Sequence, residues 1–263
     1  MLTFWRTIAN SIEKFISSDH ENETPIVVLP EYALGNKIRY PNSNPDTELL
    51  DEIKDMTQTL GINLFAGSGA FQDESGWHNR GYFFSYDGKV QHYDKQRLFN
   101  YELKLNLIPG GSSDIFLAPP NNIRVQILIC SDLWFPELIR GRLPDLPDLL
   151  VIPTMSIVPE QQLVGYGRSL WHSLALTRSR ENAIPVVVSD WAVQHWRGSS
   201  AQNWTCGASS ISDPSTRWRT RSEEDQGFLR VESGEATILQ SYVSMEKVSE
   251  YRKYRRETGL LPD

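Results

Sequence analysis

Short, uninterrupted apolar runs constrain this chain more than anything else in it. "PIVVLPE" (25–31), "VQILIC" (125–130), "LLVIPT" (149–154) and "IPVVVSD" (184–190) are brief, apolar and rich in β-branched residues. Runs of that kind are strands buried within a sheet. Between them the pattern changes period. Trp5, Ile8, Ile12, Phe15 and Ile16 recur at three-to-four spacing, which predicts an amphipathic helix over 4–17. Leu49, Leu50, Ile53, Met56 and Leu60 predict a second helix that stops at Gly61, a natural residue just past a helix end. Residues 168–182 predict another, and Pro136 suits the first turn of a short helix with Glu137 beside it. "INLFAGSG" predicts a further strand. "RGYFFSYDGKVQHYD" (80–94) predicts a hairpin turning at Asp87-Gly88. "TCGASSISDPS" and "EATILQSYVS" supply the last strands. Strands and helices mixed throughout, with no repeat or linker, make one α/β domain over 1–263.

Composition removes several classes of function. A net charge of -7 argues against nucleic acid as the main partner. The basic clusters at 217–221 and 252–256 are interrupted by other residues and read as solvated surface. The two cysteines, Cys130 and Cys206, form no Cys-x-x-Cys, and the five histidines lack metal-type spacing, so the sequence calls for no disulfide framework, metal or cofactor. No apolar stretch reaches membrane-spanning length and no signal peptide is evident. The expectation is a soluble cytoplasmic protein with reduced thiols and no membrane partner. The polar loop 191–204, rich in tryptophan, is a candidate lid or interface element.

Three predicted strands end in chemically useful residues. Glu31 ends "VVLPE", Lys95 follows "KVQHYD", and Cys130 ends "VQILIC". Taken singly each has an ordinary explanation: a solvated cap, a surface lysine, a core thiol. Together an acid, a base and a thiol at strand ends form a constellation, because strand ends in α/β proteins are where sites form. Cys206 lies in a small-residue strand and reads as core. "GSGAF" lacks the Gly-Lys-Ser/Thr ending of a phosphate loop.

"VVLPEYALG", "YDKQRLFNYE" and "LICSDLWFPEL" resemble, in order, the three signature segments of the nitrilase, or carbon–nitrogen hydrolase, superfamily. "HNRGYFFSYDGKV", "LTRSRENAIPVVVSD" and "CGASSISDPS" resemble its connecting pieces, and the resemblance covers roughly residues 5–250. It implies an α/β fold of the four-layer αββα sandwich type, assembled into homodimers or larger homo-oligomers. It implies a Glu31–Lys95–Cys130 triad, with Glu102 as the second glutamate that follows the lysine. In that chemistry Cys130 attacks the carbonyl, Glu31 moves the proton, and Lys95 with the Ser131 N–H stabilises the oxyanion. The product is a thioester that water hydrolyses. Family members usually begin with a strand before the first helix; this chain opens in the helix, so that strand is expected to be missing. Trp134 stands where many members carry a basic residue. It either walls an apolar pocket or packs beneath the helix at 136–142.

The expected substrate is a small amide or N-carbamoyl compound, since "CSDLWFPE" resembles carbamoyl-amidase variants of the motif. Nitrile hydrolysis by the same triad and a catalytically silent regulatory member are the alternatives. A papain-like enzyme would instead pair Cys130 with His172 or His195 and leave Glu31 and Lys95 unexplained.

Overall fold

The structure is a computed structural model that describes residues 2–16, 24–35, 47–111, 115–196, 203–216 and 227–262. It divides into two compact units, Met1–Ile123 and Arg124–Asp263. The basic cluster at 217–221 and the centre of the 191–204 loop lie outside the described residues. No helix among the described residues is long and apolar enough to cross a membrane.

The first unit runs α1 (Leu2–Ile16), β1 (Ile26–Val28), α2 (Thr47–Leu60), β2 (Asn63–Asp73), β3 (Gly76–Phe84), β4 (Val90–Asp94), α3 (Tyr101–Lys104) and β5 (Ile115–Ala118). Its main sheet is ordered β1-β2-β3-β4, with β1 parallel to β2 and the other pairs antiparallel. The two long helices form as their periodicity predicts. Trp5 and Ile12 of α1 and Leu49 and Ile53 of α2 bury against Leu64 and Phe84 of the sheet. Gly61 ends α2 with φ at 62°, the left-handed value that an alanine would resist. Phe65 and Phe83 stack at 4.6 Å and are almost wholly buried. Each such ring contributes about 1.5–3 kcal/mol by leaving water.

The second unit runs β6 (Ile123–Ile127), α4 (Glu137–Arg140), β7 (Leu149–Pro153), β8 (Ile157–Val158), α5 (Val164–Asn182), β9 (Val186–Ser189), β10 (His195–Trp196), β11 (Asn203–Thr205), β12 (Ser210–Ser212), β13 (Phe228–Arg230) and α6 (Met245–Glu257). Its main sheet is ordered β13-β12-β9-β7-β6, parallel from β9 to β6 and antiparallel from β9 outward. A small antiparallel sheet orders β10-β11-β8.

Three expectations are corrected. "EATILQSYVS" (235–244) forms no strand; it is irregular and mostly exposed, and the pairing edge beside β12 is taken by β13. Within the 191–204 loop, residues 195–196 belong to strand β10 and 203–204 to strand β11. The basic cluster at 252–256 lies on α6, where Arg252 is only 14% exposed at its side chain and donates to the carbonyls of Pro147 and Ala183. Those carbonyls receive the guanidinium in place of water, which is how an arginine becomes structural.

Candidate active site

In the first unit the chain leaves β1 through Leu29-Pro30 and turns at 31–34. Strand β2 holds that turn. Leu29 N–H donates to Phe65 O (2.9 Å), Leu34 N–H to Ser68 O (3.0 Å) and Tyr32 N–H to Ser68 Oγ (3.1 Å). Between Phe65 and Ser68 the β2–β3 register slips in a bulge. Gly67 stands there with φ at +74°, and a Cβ added to it would lie 1.9 Å from Pro30 O. The bulge thus makes room for the turn that carries Glu31. Tyr32 itself has φ at 62°, sparsely populated for a residue with a side chain.

The result is a buried charged cluster. Glu31 and Lys95 are each 2% exposed and Glu102 is 1% exposed. Lys95 Nζ donates to Glu31 Oε1 (2.8 Å) and to Glu102 Oε2 and Oε1 (2.9 and 3.1 Å). Tyr32 Oη donates to Glu102 Oε1 (2.6 Å), and Phe99 N–H to Glu102 Oε2 (2.7 Å). Asn79 Nδ2 lies 2.8 Å from Glu31 Oε1 and 2.6 Å from Glu102 Oε1. Lys95 is placed from both sides of its peptide: its N–H donates to Asn79 O and its carbonyl accepts from Gly110, both at 2.9 Å. Burial opposes ionisation of Glu102, but the Lys95 ammonium, the Tyr32 hydroxyl and the Phe99 N–H outweigh it and hold the carboxyl below its usual range. The Tyr32 and Tyr101 hydroxyls are pushed well up by burial and by the neighbouring carboxylates, so both stay protonated. Glu31, Lys95 and Glu102 were nameable from sequence; Asn79 lies in "HNRGYFFSYDGKV", the segment that resembles the family's Asn-containing hairpin, while Tyr32 was not singled out.

In the second unit β6 ends at Ile127 and the buried Leu128-Ile129 lead into a short 3-10 turn over Cys130–Trp134. Cys130 has φ at 49°, again left-handed, and is 8% exposed. Its Sγ lies 3.9 Å from Met155 O, within reach of a weak S–H donor. The turn is locked by Asp132, fully buried, whose Oδ2 accepts Ile129 N–H (3.0 Å) while its own N–H donates to Ile129 O (3.1 Å). Ser131 is the second residue of the turn and half-buried. Arg178 of α5 closes the far end by donating to Leu133 O and Trp134 O. Met155 is itself anchored. Asp190, at the end of β9, accepts the N–H groups of Ser156 (3.0 Å), Trp191 (2.9 Å) and Ala208 (2.8 Å) and the Ser156 hydroxyl. Asp132 and Asp190 went unremarked in sequence because an acid's partners are backbone groups, which leave no sequence pattern.

The carbon-nitrogen hydrolase family model matches residues 3–232. The chain belongs to the carbon–nitrogen hydrolase family. Among curated protein sequences none matches it. Solved structures do. Nit3 of Saccharomyces cerevisiae, a member of branch 10 of the nitrilase superfamily, aligns over 98% of this chain and 89% of its own at 21% identity and TM-score 0.73. A carbon–nitrogen hydrolase from Helicobacter pylori G27 aligns over 96% and 87% at 17% identity and TM-score 0.76. An amidase from Nesterenkonia AN1 aligns over 81% and 78% at 16% identity and TM-score 0.59. These likenesses show the nitrilase-type α/β fold that the signature segments imply.

The other sequence candidates of this carbon–nitrogen hydrolase have definite places. Trp134 is 43% exposed and meets Trp171 of α5 edge-on at 6.1 Å. His172 faces Phe228 and His195 faces Trp204, both ring to ring. Burial first, then Arg230, pushes His172 down to about 4, which leaves it neutral near pH 7. Cys206 is fully buried against α5, and burial pushes its thiol up to about 11. Among the described residues, Asp73, His78 and Asp94 bring one ligand atom each within 4.8 Å of one another. Arg80 already fills the place of a cation there, donating to Asp73 Oδ2 (2.7 Å) and to both oxygens of Asp94 (2.6 and 2.8 Å). That cluster fastens the β2–β3 hairpin to β4.

Proposed function

We propose that this protein hydrolyses the carbon–nitrogen bond of a small amide or N-carbamoyl compound through a thioester on Cys130. The observation that carries the reading is the buried Glu31–Lys95–Glu102 cluster. Burying two carboxylates and an ammonium costs several kcal/mol per ion, and such an expense is hard to explain by stability alone. Membership of the family supports the bond class. A mutant of the Nesterenkonia amidase crystallised in complex with butyramide supports an amide substrate.

Glu31, Lys95 and Cys130 serve one reaction in this reading. The Cys130 thiol gives its proton to Glu31 as sulfur bonds to the substrate carbonyl carbon. The oxygen gains negative charge, which Lys95 and the Ser131 N–H stabilise. The tetrahedral species collapses, the carbon–nitrogen bond breaks, and Glu31 returns its proton to the departing ammonia or amine. Water then gives a proton to Glu31 and its oxygen to the thioester carbon, the carbon–sulfur bond breaks to release the acid, and Glu31 returns the proton to the Cys130 sulfur. Glu102 holds Lys95 in place throughout. The half-exposed Trp134 offers an apolar wall to the acyl chain.

Intact mass after mixing with a panel of small amides tests this. The expected result is an acyl adduct on the peptide bearing Cys130, absent from Cys130→Ala, whose turnover falls about a thousandfold or more. Ammonia release from amide, ureido and nitrile compounds of one carbon skeleton fixes the class. A nitrile turned over faster than both others overturns it.

A further inference from the structure

We propose that Asn79 is a positioning residue of the Glu31–Lys95–Glu102 cluster, the neutral second bridge that holds two carboxylates on one ammonium and keeps Glu31 able to take and return a proton. The proposal rests on the reading of Glu31 as the base.

Asn79 is fully buried on β3. Its Nδ2 has three oxygen neighbours: Glu102 Oε1 at 2.6 Å, Glu31 Oε1 at 2.8 Å and Tyr32 Oη at 3.0 Å. Two amide hydrogens serve the two carboxylates, while the Tyr32 hydroxyl spends its own proton on Glu102. Lys95 Nζ donates to the same two carboxylate oxygens, Glu31 Oε1 and Glu102 Oε1. Each of those oxygens therefore pairs the Lys95 ammonium with the Asn79 amide, and Glu102 Oε1 also takes the Tyr32 hydroxyl. The amide orientation follows from this, because reversing it would aim Oδ1 at three oxygens. Among the described residues Oδ1 has no hydrogen-bond partner.

The choice of an amide has a chemical consequence. A second cation in that place would clamp Glu31 as a permanent anion and weaken it as a base. An apolar side chain would leave two buried carboxylates repelling each other across a single ammonium. An amide stabilises the charged form by hydrogen bonding alone. The titratable groups facing it are Glu31 and Tyr32 from the turn after β1, Lys95 after β4, and Tyr101 and Glu102 of α3. His78 and Arg80, one residue to either side on β3, point to the other face of the sheet, where they meet Asp73 and Asp94.

The test compares the unsubstituted protein with Asn79→Leu, of similar size, and Asn79→Ser, which keeps one donor. The expected result for Asn79→Leu is a kcat about tenfold lower or more with little change in KM, and an acid limb of kcat/KM moved up by about one pH unit, since a carboxylate losing a donor binds its proton more tightly. Asn79→Ser should fall between. Infrared titration of the buried carboxylates should move in the same direction and needs no substrate. A superimposable pH profile and infrared titration in Asn79→Leu overturn the proposal while acyl-enzyme formation leaves the amidase reading intact. Loss of native circular dichroism in both variants would show a purely structural asparagine and overturn it as well. Absence of any acyl-enzyme in the unsubstituted protein instead overturns the amidase reading, and the infrared shift still decides the role of Asn79 toward the carboxylates.

Discussion

Replacing Gly67 with alanine separates the role of a backbone kink from the role of the acid it supports. Gly67 has φ at +74°, and the left-handed region costs an L-residue roughly 1–2 kcal/mol. The new Cβ would stand 1.9 Å from Pro30 O and 3.0 Å from Ala33 Cβ. The first contact is with backbone, so no side-chain rotation relieves it. The bulge or the Pro30-Glu31 peptide has to move by about 1 Å, and overpacking of that kind costs about 1–3 kcal/mol. The sum is about 2–5 kcal/mol, a large share of the ~5–15 kcal/mol that stabilises a typical domain. The movement lands on the peptide that carries Glu31, where a displacement of about 1 Å can slow chemistry on the order of a hundredfold. Urea unfolding at pH 7 measures the first effect, and single-turnover acylation in conditions where the variant is folded measures the second. Gly61→Ala is the control. Its φ is +62° with nothing within 4 Å, so it meets the strain of the left-handed region without the clash. It should lose about 1–2 kcal/mol and no acylation rate. If Gly67→Ala matches Gly61→Ala in both measurements, the bulge does not position Glu31 and the reasoning fails.

Other expectations follow from the buried groups. Burial raises the Asp190 carboxyl to about 6 against the backbone donors that favour its anion. The folded protein therefore binds that proton more tightly than the unfolded chain, and the contribution is fully present below pH ~4 and lost as pH rises through ~6, about 3 kcal/mol in all. A series of urea midpoints between those values should show this slope in the unsubstituted protein and not in Asp190→Asn; equal slopes would refute the assignment. Because burial holds the Cys206 thiol up at about 11, iodoacetamide at pH 8 should label it slowly in the native state, and Cys206→Ala should keep amide turnover. Activity that tracks the labelling of Cys206 would sink the assignment of Cys130. Lys95→Met strands the Glu31 and Glu102 carboxylates and should destabilise by about 3–5 kcal/mol. Adding Glu102→Gln should restore part of that loss, and strict additivity in the urea measurements would mean the residues do not share one network.

The sequence by itself determined the elements whose signals are local. Periodicity of 3.6 marked α1 and α2, Gly61 marked where α2 ends, and Asp87-Gly88 marked the turn between β3 and β4. It also named Glu31, Lys95, Glu102 and Cys130, because an acid, an amine or a thiol placed at the end of an apolar run stands out from its neighbours. Local signals mislead where partners decide. "EATILQSYVS" is rich in β-branched and aromatic residues like a strand, yet a strand needs an edge to pair with, and β13 holds the one beside β12. Helix α6 is so charged that only Val248 and Tyr251 are buried among its residues, and its arginines read as solvent-facing until the carbonyls they meet are known. The tertiary structure alone decided which residues hold the acids and the thiol. Asn79 meets Glu31 from 48 residues away and Tyr32 meets Glu102 from 70. Asp190 anchors Ser156, and through it the Met155 carbonyl beside Cys130, across 34 residues. Those contacts depend on strand register and on a one-residue bulge, and a buried hydrogen bond carries no sequence spacing of its own.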